Sequence, residues 1–195
     1  MTVAPPILYY DFNSPYAYLA AERVDDLIPG TEWKPIAFAI LLNQLGELDG
    51  RLTNLKTAPI VEEVTARAAD RGLPAFAPPS TWPVESWSLT PLRAALVADE
   101  LGRQREFAHA AFRKSFVESR SLADLENVLG AAREAGFDPD EIAAGIQRDD
   151  IKNRLKANTA EALERGVTGI PTVAIGDELF WGDDHLEQAA AVRNS

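Results

Sequence analysis

The sequence predicts an α/β domain into which a large, all-helical segment is inserted. Three observations support this fold class. The chain begins with the pattern strand–helix–strand and ends with the pattern strand–turn–strand–helix. The stretch between these two parts has helical periodicity. Residues 1–38 and 155–195 are therefore assigned to the α/β domain, and residues 39–154 to the inserted helical subdomain.

The first three elements can be placed from local residue patterns. Ile7 to Asp11 is a short apolar and aromatic run, which is typical of a buried central strand. Ser14 and Pro15 then supply a helix cap and a first helical residue. A second strand is predicted over Glu32 to Phe38, parallel to the first across a right-handed helical crossover. Pro35 within this run predicts an edge strand.

The insertion contains five candidate helices, each bounded by glycine, proline or capping residues. They are Pro59 to Arg71, Leu92 to Leu101, Glu106 to Glu118, Leu122 to Ala135, and Pro139 to Gln147. A further helix is predicted over Ile151 to Gly166. The run GIPTVAIGDELFWGDDHLEQAAAV then predicts a strand, a Gly-Asp turn, a second strand and a final helix.

Composition excludes several classes of function. The formal net charge of -11 over 195 residues argues against binding to nucleic acid or anionic lipid, because both partners require clustered positive charge. A neutral or weakly charged small molecule is the expected partner. Only two histidines are present, so we expect no metal site. The longest apolar run, Pro35 to Leu42, is far shorter than a membrane span, and the N-terminus lacks a secretion pattern, so we expect a cytoplasmic protein.

Two local motifs could carry chemistry. In the first, Ser14 stands where a predicted strand runs into a capped helix, and a serine hydroxyl beside a helix N-terminus can stabilise a thiolate or carboxylate. The alternative is that Ser14 is only a helix cap. In the second, the Ile170-Pro171 bond enters a predicted strand and is a candidate cis peptide that would leave the Ile170 backbone free to pair with an extended ligand. The alternative, which base rates favour, is a trans proline at a strand start.

Together these motifs resemble the DsbA-like branch of the thioredoxin superfamily. Within it, the sequence is most similar to the group of 2-hydroxychromene-2-carboxylate isomerases and kappa-class glutathione transferases. The resemblance covers nearly the whole chain and rests on DFNSPYAYL, AEALERGVTGIPTV and ELFWGDDHLE, with a helical insertion of the right length between them. It implies a thioredoxin-like fold with a large all-helical insertion, and a homodimer.

The resemblance also implies that a bound thiol, and not the protein itself, supplies the reacting sulfur. Redox members of the superfamily begin the first helix with a Cys-x-x-Cys pair, whereas Ser14 and Ala17 stand at those places here. The chain has no cysteine, so it cannot be a dithiol-disulfide oxidoreductase. By resemblance, Ser14 is the catalytic residue and would hydrogen-bond the sulfur of glutathione, or of another low-molecular-weight thiol, and lower its pKa.

The other cofactor contacts carry over by resemblance. Ile170 and Pro171 would pair with the glutathione backbone, and Asp184 would face the γ-glutamyl ammonium group, with Asp183 beside it. Lys56 would lie near the glycine carboxylate of glutathione. On residue type alone, an exposed lysine at a solvated helix start is the simpler interpretation of Lys56.

The implied function is a glutathione-dependent isomerase of an unsaturated aromatic keto acid. The alternatives are a kappa-type glutathione transferase or peroxidase, and a non-catalytic binding module of the DsbA type. Four positions depart from the family pattern on the substrate side, so the substrate is expected to differ from the family's type compound. These positions are Pro59, Trp87, Thr168 and His185. Four aromatic residues could line an apolar pocket, although buried aromatics are more often plain core. They are Phe76, Trp82, Trp87 and Trp181.

Overall fold

A mixed sheet forms the centre of the α/β domain. The computed structural model describes residues 4–53, 57–83 and 87–193, and within them the sheet has four strands. The strands are β1 (Ile7–Tyr10), β2 (Glu32–Pro35), β3 (Thr172–Ile175) and β4 (Glu178–Trp181), in the order β2-β1-β3-β4. β2 is parallel to β1, whereas β3 is antiparallel to both β1 and β4. The predicted edge position of β2 and its parallel pairing are confirmed.

The second strand ends earlier than the sequence predicts. It stops at Pro35, and Phe38 begins a helix instead of ending the strand. Two side chains from elsewhere accept hydrogen bonds from main-chain N–H groups just beyond the strand. Thr159 Oγ1 accepts from Ala37 at 3.0 Å, and Asp11 Oδ2 accepts from Phe38 at 3.0 Å. These side-chain acceptors turn the backbone out of the sheet, and a local sequence pattern does not reveal them.

The crossover between β1 and β2 contains two short helices, α1 (Pro15–Ala21) and α2 (Val24–Leu27), where the sequence predicts one. The break lies at Arg23, whose φ of -133° is outside the helical range. At this point Glu22 and Arg23 form hydrogen bonds with partners on different elements. Glu22 accepts from Arg113, and the Arg23 guanidinium donates to the main-chain oxygen of Asp183 at 3.3 Å.

The insertion is helical, as predicted. Its helices are α3 (Phe38–Gln44), α4 (Leu48–Thr53), α5 (Thr57–Asp70), α6 (Leu89–Glu100), α7 (Gln104–Phe116), α8 (Leu125–Glu134) and α9 (Pro139–Gly145). The five candidate helices correspond to α5 to α9, with ends that differ by at most three residues. The helices α3 and α4 were not predicted as separate elements. None of the helices in the described ranges is both long and apolar enough to cross a membrane.

The chain returns to the sheet through α10 (Asp149–Glu164). This helix runs without a break across the domain boundary that the sequence places between residues 154 and 155, and it contacts β2, α3 and α6. After β4, a short 3-10 turn (Asp183–His185) leads into the last helix, α11 (Leu186–Arg193).

An aromatic cluster joins the sheet to the insertion. Phe12, directly after β1, packs on Phe112 of α7 with ring centroids 4.8 Å apart, and Tyr10 meets Phe12 edge-to-face at 5.4 Å. Phe116, one turn along α7, stacks on Phe76 at 5.4 Å. All four phenylalanines and Tyr10 are buried in one continuous core, so the sheet and the insertion share a hydrophobic interior.

A buried ion-pair cluster fixes the segment after β4 against α5. The Asp183 side chain is fully buried, and its two carboxylate oxygens each lie 2.6 Å from a guanidinium nitrogen, one of Arg67 and one of Arg71. Arg67 belongs to α5 of the insertion, and Arg71 directly follows that helix. The cluster therefore determines where the neighbouring residue Asp184 lies relative to α5.

Replacing Asp183 by asparagine should destabilise the protein markedly. The change removes the counter-charge of Arg71 and one of the three carboxylates around Arg67, which keeps Glu63 and Asp184. We expect a cost of about 3 kcal/mol, the low end for breaking a buried ion pair, because Arg67 keeps these partners. For a chain of this length, that loss lowers Tm by roughly 6 to 12 °C. Thermal unfolding followed by circular dichroism measures the change.

The control is Asp184→Asn at the adjacent position. Asp184 is half-exposed and 3.5 Å from Arg67, so loss of its charge should change stability by no more than about 1 kcal/mol. Equal effects of the two variants would contradict a structural role specific to Asp183.

Candidate functional site

A cavity of about 310 Å³ lies where the N-terminus of α1 faces the insertion. Its walls are mostly apolar and come from both parts of the chain. The main apolar lining residues are Pro15, Tyr16, Ala37, Phe38, Ile40, Leu42, Leu48, Ile60, Trp82, Trp87, Leu89, Ile170 and Trp181. The polar lining residues are Asp11, Asn13, Ser14 and Ser88, which come from the end of β1 and the start of α6. This is the shape and chemistry of a pocket that takes an apolar ligand and orients it with a few polar groups.

Ser14 lies on this cavity wall at the N-terminus of α1. Its main-chain N–H donates to the Asp11 carbonyl oxygen at 3.1 Å, which closes a tight turn after β1. Its Oγ accepts from the Ala17 N–H at 3.2 Å, so the capping interpretation of Ser14 is confirmed. Capping uses an acceptor lone pair and leaves the hydroxyl hydrogen as a donor. Ser14 can therefore cap α1 and donate to a ligand in the cavity at the same time.

The turn that carries Ser14 is held from the opposite wall by Trp82. The indole Nε1 of Trp82 donates to the Asn13 main-chain oxygen at 2.9 Å. Both residues line the cavity, so this hydrogen bond closes one end of it. Trp87 and Trp181 also line the cavity, whereas Phe76 lies in the core against Phe116. Three of the four aromatic residues weighed as pocket candidates thus belong to the cavity.

Asp11 is a cavity residue that the sequence interpretation did not single out. Its carboxylate is buried and accepts three hydrogen bonds of 3.0 Å, from the main-chain N–H groups of Asn13 and Phe38 and from the Ser88 hydroxyl. Burial raises the pKa of the Asp11 carboxyl, while these three donors oppose the rise. The available signal was an acidic residue at the end of an otherwise apolar strand.

The Ile170-Pro171 peptide bond is cis, one of the two conformations considered for this motif, and Ile170 lines the same cavity as Ser14. The Pro171 carbonyl oxygen accepts from the Gly182 N–H at 2.9 Å, and the Thr172 hydroxyl donates to the Gly169 carbonyl at 2.7 Å. Within the described ranges, neither the N–H nor the C=O of Ile170 has a hydrogen-bond partner. The Ile170 backbone is therefore available to an extended ligand.

Gly169 and Trp181 shape the mouth of the cavity next to Ile170. A Cβ atom placed on Gly169 would lie 2.2 Å from two atoms of the Trp181 indole, so only glycine permits this close packing. Trp181 is 55% exposed and covers the backbone just before the cis peptide. Sequence reasoning identified the glycine only as part of a motif.

The predicted γ-glutamyl contact, Asp184, lies outside the cavity wall and half-exposed to solvent. Its carboxylate oxygens lie 3.5 Å from a guanidinium nitrogen of Arg67 and 3.3 Å from Nδ1 of His185. The Asp183 carboxylate is instead held inside the protein by arginine, so its direct contact with a cofactor stays a prediction. Lys56 lies outside the described residues.

Tyr16 lines the cavity and contacts Arg67, the residue that lies near Asp184. Its hydroxyl donates to Glu63 Oε2 at 2.6 Å, and its ring lies 5.7 Å from the Arg67 guanidinium carbon. Burial, followed by the Glu63 carboxylate, raises the pKa of Tyr16, so its phenol stays neutral at physiological pH.

Comparison with known proteins bears on the fold and the family. The chain is 26% identical over 187 residues to a 2-hydroxychromene-2-carboxylate isomerase of Sphingobium xenophagum, with 92% of each chain covered. It is 25% identical over 180 residues to a protein of the same name from Pseudomonas sp. (strain C18), with 91% of this chain and 84% of that relative covered. A solved structure of a 2-hydroxychromene-2-carboxylate isomerase superimposes with a TM-score of 0.84 at 21% identity, covering 98% of this chain and 95% of that one.

The DSBA-like thioredoxin domain matches residues 7–192, which is almost the entire chain. The mixed four-stranded sheet and the helical insertion agree with that match. The chain therefore belongs to the DSBA-like thioredoxin domain family.

Proposed function

We propose that this protein is a glutathione-dependent isomerase of an unsaturated aromatic keto acid. The observation that carries the proposal is the placement of Ser14, which lines an apolar cavity and whose hydroxyl keeps its donor hydrogen while capping α1. The similarity to proteins named 2-hydroxychromene-2-carboxylate isomerase supports the same reaction class. A homodimer belongs to the proposal through the resemblance alone, and a cytoplasmic location through the sequence pattern alone.

The described residues fit glutathione or a similar small thiol in two ways. The unpaired N–H and C=O groups of Ile170 can take the cysteinyl backbone, as the next strand in a sheet would. The carboxylate of Asp184 is exposed enough to receive the γ-glutamyl ammonium group. In this arrangement the sulfur of the tripeptide would lie at Ser14, its middle at Ile170 and its amino end at Asp184.

Glutathione would supply the nucleophile that the chain lacks, a thiolate able to add reversibly to an electron-poor double bond so that the bond can rotate. Ser14 would donate a hydrogen bond to the sulfur and so favour its ionised form. The apolar walls would exclude water, and Trp82 and Trp87 would contact an aromatic ring. Because the scheme needs no redox step, it agrees with the absence of cysteine.

Replacing Ser14 by alanine should lower turnover by roughly 10- to 1000-fold, because one preorganised donor to the thiolate is lost. The pKa of the bound thiol, followed by the ultraviolet absorbance of the thiolate, should rise in this variant. Isomerisation of an aryl-substituted unsaturated keto acid in the presence of glutathione provides the rate. Unchanged turnover and thiol pKa would contradict the proposed role.

Asp138→Ala is the matched control for Ser14→Ala. Asp138 caps α9, is followed by Pro139 just as Ser14 is followed by Pro15, and lies on the insertion outside the cavity lining. Both changes remove a cap hydrogen bond of the same kind. Only Ser14→Ala should affect the thiol and turnover.

The same assay separates the alternative functions when free thiol is measured before and after the reaction. Isomerisation leaves the amount of free glutathione unchanged, whereas conjugation or peroxide reduction consumes it. A non-catalytic binding module would bind glutathione with no turnover of any electrophile. Consumption of glutathione, or binding of glutathione without turnover, would contradict the isomerase proposal.

Replacing Asp184 by alanine should weaken glutathione binding by about 10-fold, because a charge-assisted hydrogen bond to the ammonium group is lost. Calorimetric titration measures the change in Kd. Acetylating the γ-glutamyl amine should weaken binding to the unmodified protein and have little effect on the variant.

Asp177→Ala is the control for Asp184→Ala, since it removes the same charge from the exposed turn between β3 and β4. It should leave the Kd unchanged. An equal loss in both variants would indicate a general effect of net charge and would contradict a contact at Asp184.

A further inference from the structure

Three segments that build the cavity meet at one carboxylate. Asp11 Oδ1 accepts from the N–H of Asn13, in the turn that leads to Ser14. Asp11 Oδ2 accepts from the N–H of Phe38, the first residue of α3, and from the hydroxyl of Ser88, directly before α6. The turn belongs to the α/β domain, whereas most of α3 and all of α6 belong to the insertion as the sequence divides the chain.

Each of these donors needs an acceptor that its own element does not provide. The N–H groups in the first turn of a helix have no partner within the helix, which applies to Phe38 in α3. Asn13 lies in a tight turn, where its N–H is directed toward the Asp11 side chain. One carboxylate with several lone pairs can satisfy all three donors, whereas a carboxamide in the same place would direct its own N–H groups at some of them.

The geometry links Asp11 to Ser14 by two short connections. The Ser14 N–H donates to the Asp11 main-chain oxygen. Asn13, which directly precedes Ser14, donates its main-chain N–H to Asp11 Oδ1. Trp82 holds the same turn from the insertion by its bond to the Asn13 carbonyl oxygen. A displacement of the Asp11 carboxylate would therefore move both the Ser14 hydroxyl and the Trp82 wall.

We propose that Asp11 is a positioning residue, which holds the Ser14 hydroxyl at a fixed place relative to the cavity walls formed by α3 and α6. The effect on a bound thiol rests on the proposed function, whereas the effect on the turn and on Trp82 does not. Asp11 acts through Ser14 and through the backbone of Asn13.

The chain offers a closely matched control at the adjacent backbone position. Thr159 of α10 is buried, and its Oγ1 accepts from the N–H of Ala37, the neighbour of Phe38. Within the described ranges, Thr159 is not among the residues that line the cavity, and its hydroxyl bonds to Ala37 and Leu155 and not to the Ser14 turn. Thr159→Val removes two buried hydrogen bonds of similar length, the one from the Ala37 N–H and the one that the Thr159 hydroxyl donates to the Leu155 carbonyl oxygen. It therefore reproduces the loss of stability without the proposed loss of position.

The first experiment compares Asp11→Asn with Thr159→Val in the absence of any ligand. The indole N–H resonance of Trp82, assigned with a Trp82→Phe variant, reports its hydrogen bond to Asn13. It should move toward the position of an exposed indole in Asp11→Asn and stay unchanged in Thr159→Val. An unchanged Trp82 resonance in Asp11→Asn, or an equal shift in both variants, overturns the proposal.

The second experiment measures the pKa of glutathione bound to the same variants by thiolate absorbance. Removing the negative charge of Asp11 would by itself lower the thiol pKa, whereas displacement of the Ser14 hydroxyl would raise it. The proposal predicts a rise in Asp11→Asn, equivalent to a several-fold loss of thiolate at neutral pH, and no change in Thr159→Val. A fall or no change in Asp11→Asn overturns it.

Ser88→Ala provides the same test where Asp11→Asn does not fold. This variant removes one of the three donors and leaves both backbone donors in place. It should shift the Trp82 resonance and the thiol pKa in the same directions but by smaller amounts, and no shift in either overturns the proposal. Failure of glutathione to bind the unaltered protein would count against the proposed function alone, because the Trp82 measurement needs no thiol.

Discussion

Burial of β1 on both of its faces constrains the rest of the structure. Leu8 and Tyr10 face the large core shared with the insertion, while Ile7 and Tyr9 face a second cluster formed with α10 and the segment before β3. A strand covered on both sides cannot slip by one residue without exposing one of these sets. The end of β1 is thus fixed, and the turn that carries Ser14 emerges from it.

The candidate site depends on contacts between distant parts of the chain. The sheet supplies Ser14 and Ile170, the insertion supplies Trp82 and most of the apolar wall, and Asp11 connects the two. The buried ion pairs of Asp183 with α5 make a second connection, on the side of Asp184. The cavity therefore requires the insertion to be docked on the sheet, and Asp11, a buried acid of its lining, lies at that junction.

Much of the fold could be predicted, because residues close together in the sequence determine most of its helices and strands. Apolar runs, helical periodicity, caps and proline positions located β1, the edge strand with Pro35, the final hairpin and five helices. The errors arose where side chains distant in sequence contact the backbone or the helix ends. Thr159 and Asp11 accept hydrogen bonds just beyond β2, which ends early. Glu22 and Arg23 bind distant partners at the break between α1 and α2. For the same reason, sequence motifs identified Ser14 and Ile170 but not Asp11, whose partners lie up to 77 residues away.

The central claim is that a thiol cofactor lies in this cavity with its sulfur at Ser14. A crystal structure of the protein with reduced glutathione tests this most directly. The account predicts the sulfur within hydrogen-bond distance of Ser14 Oγ, with the cysteinyl backbone paired to Ile170 and the γ-glutamyl ammonium group beside Asp184. Glutathione bound elsewhere, or a cavity that stays free of it at millimolar concentration, would contradict the account.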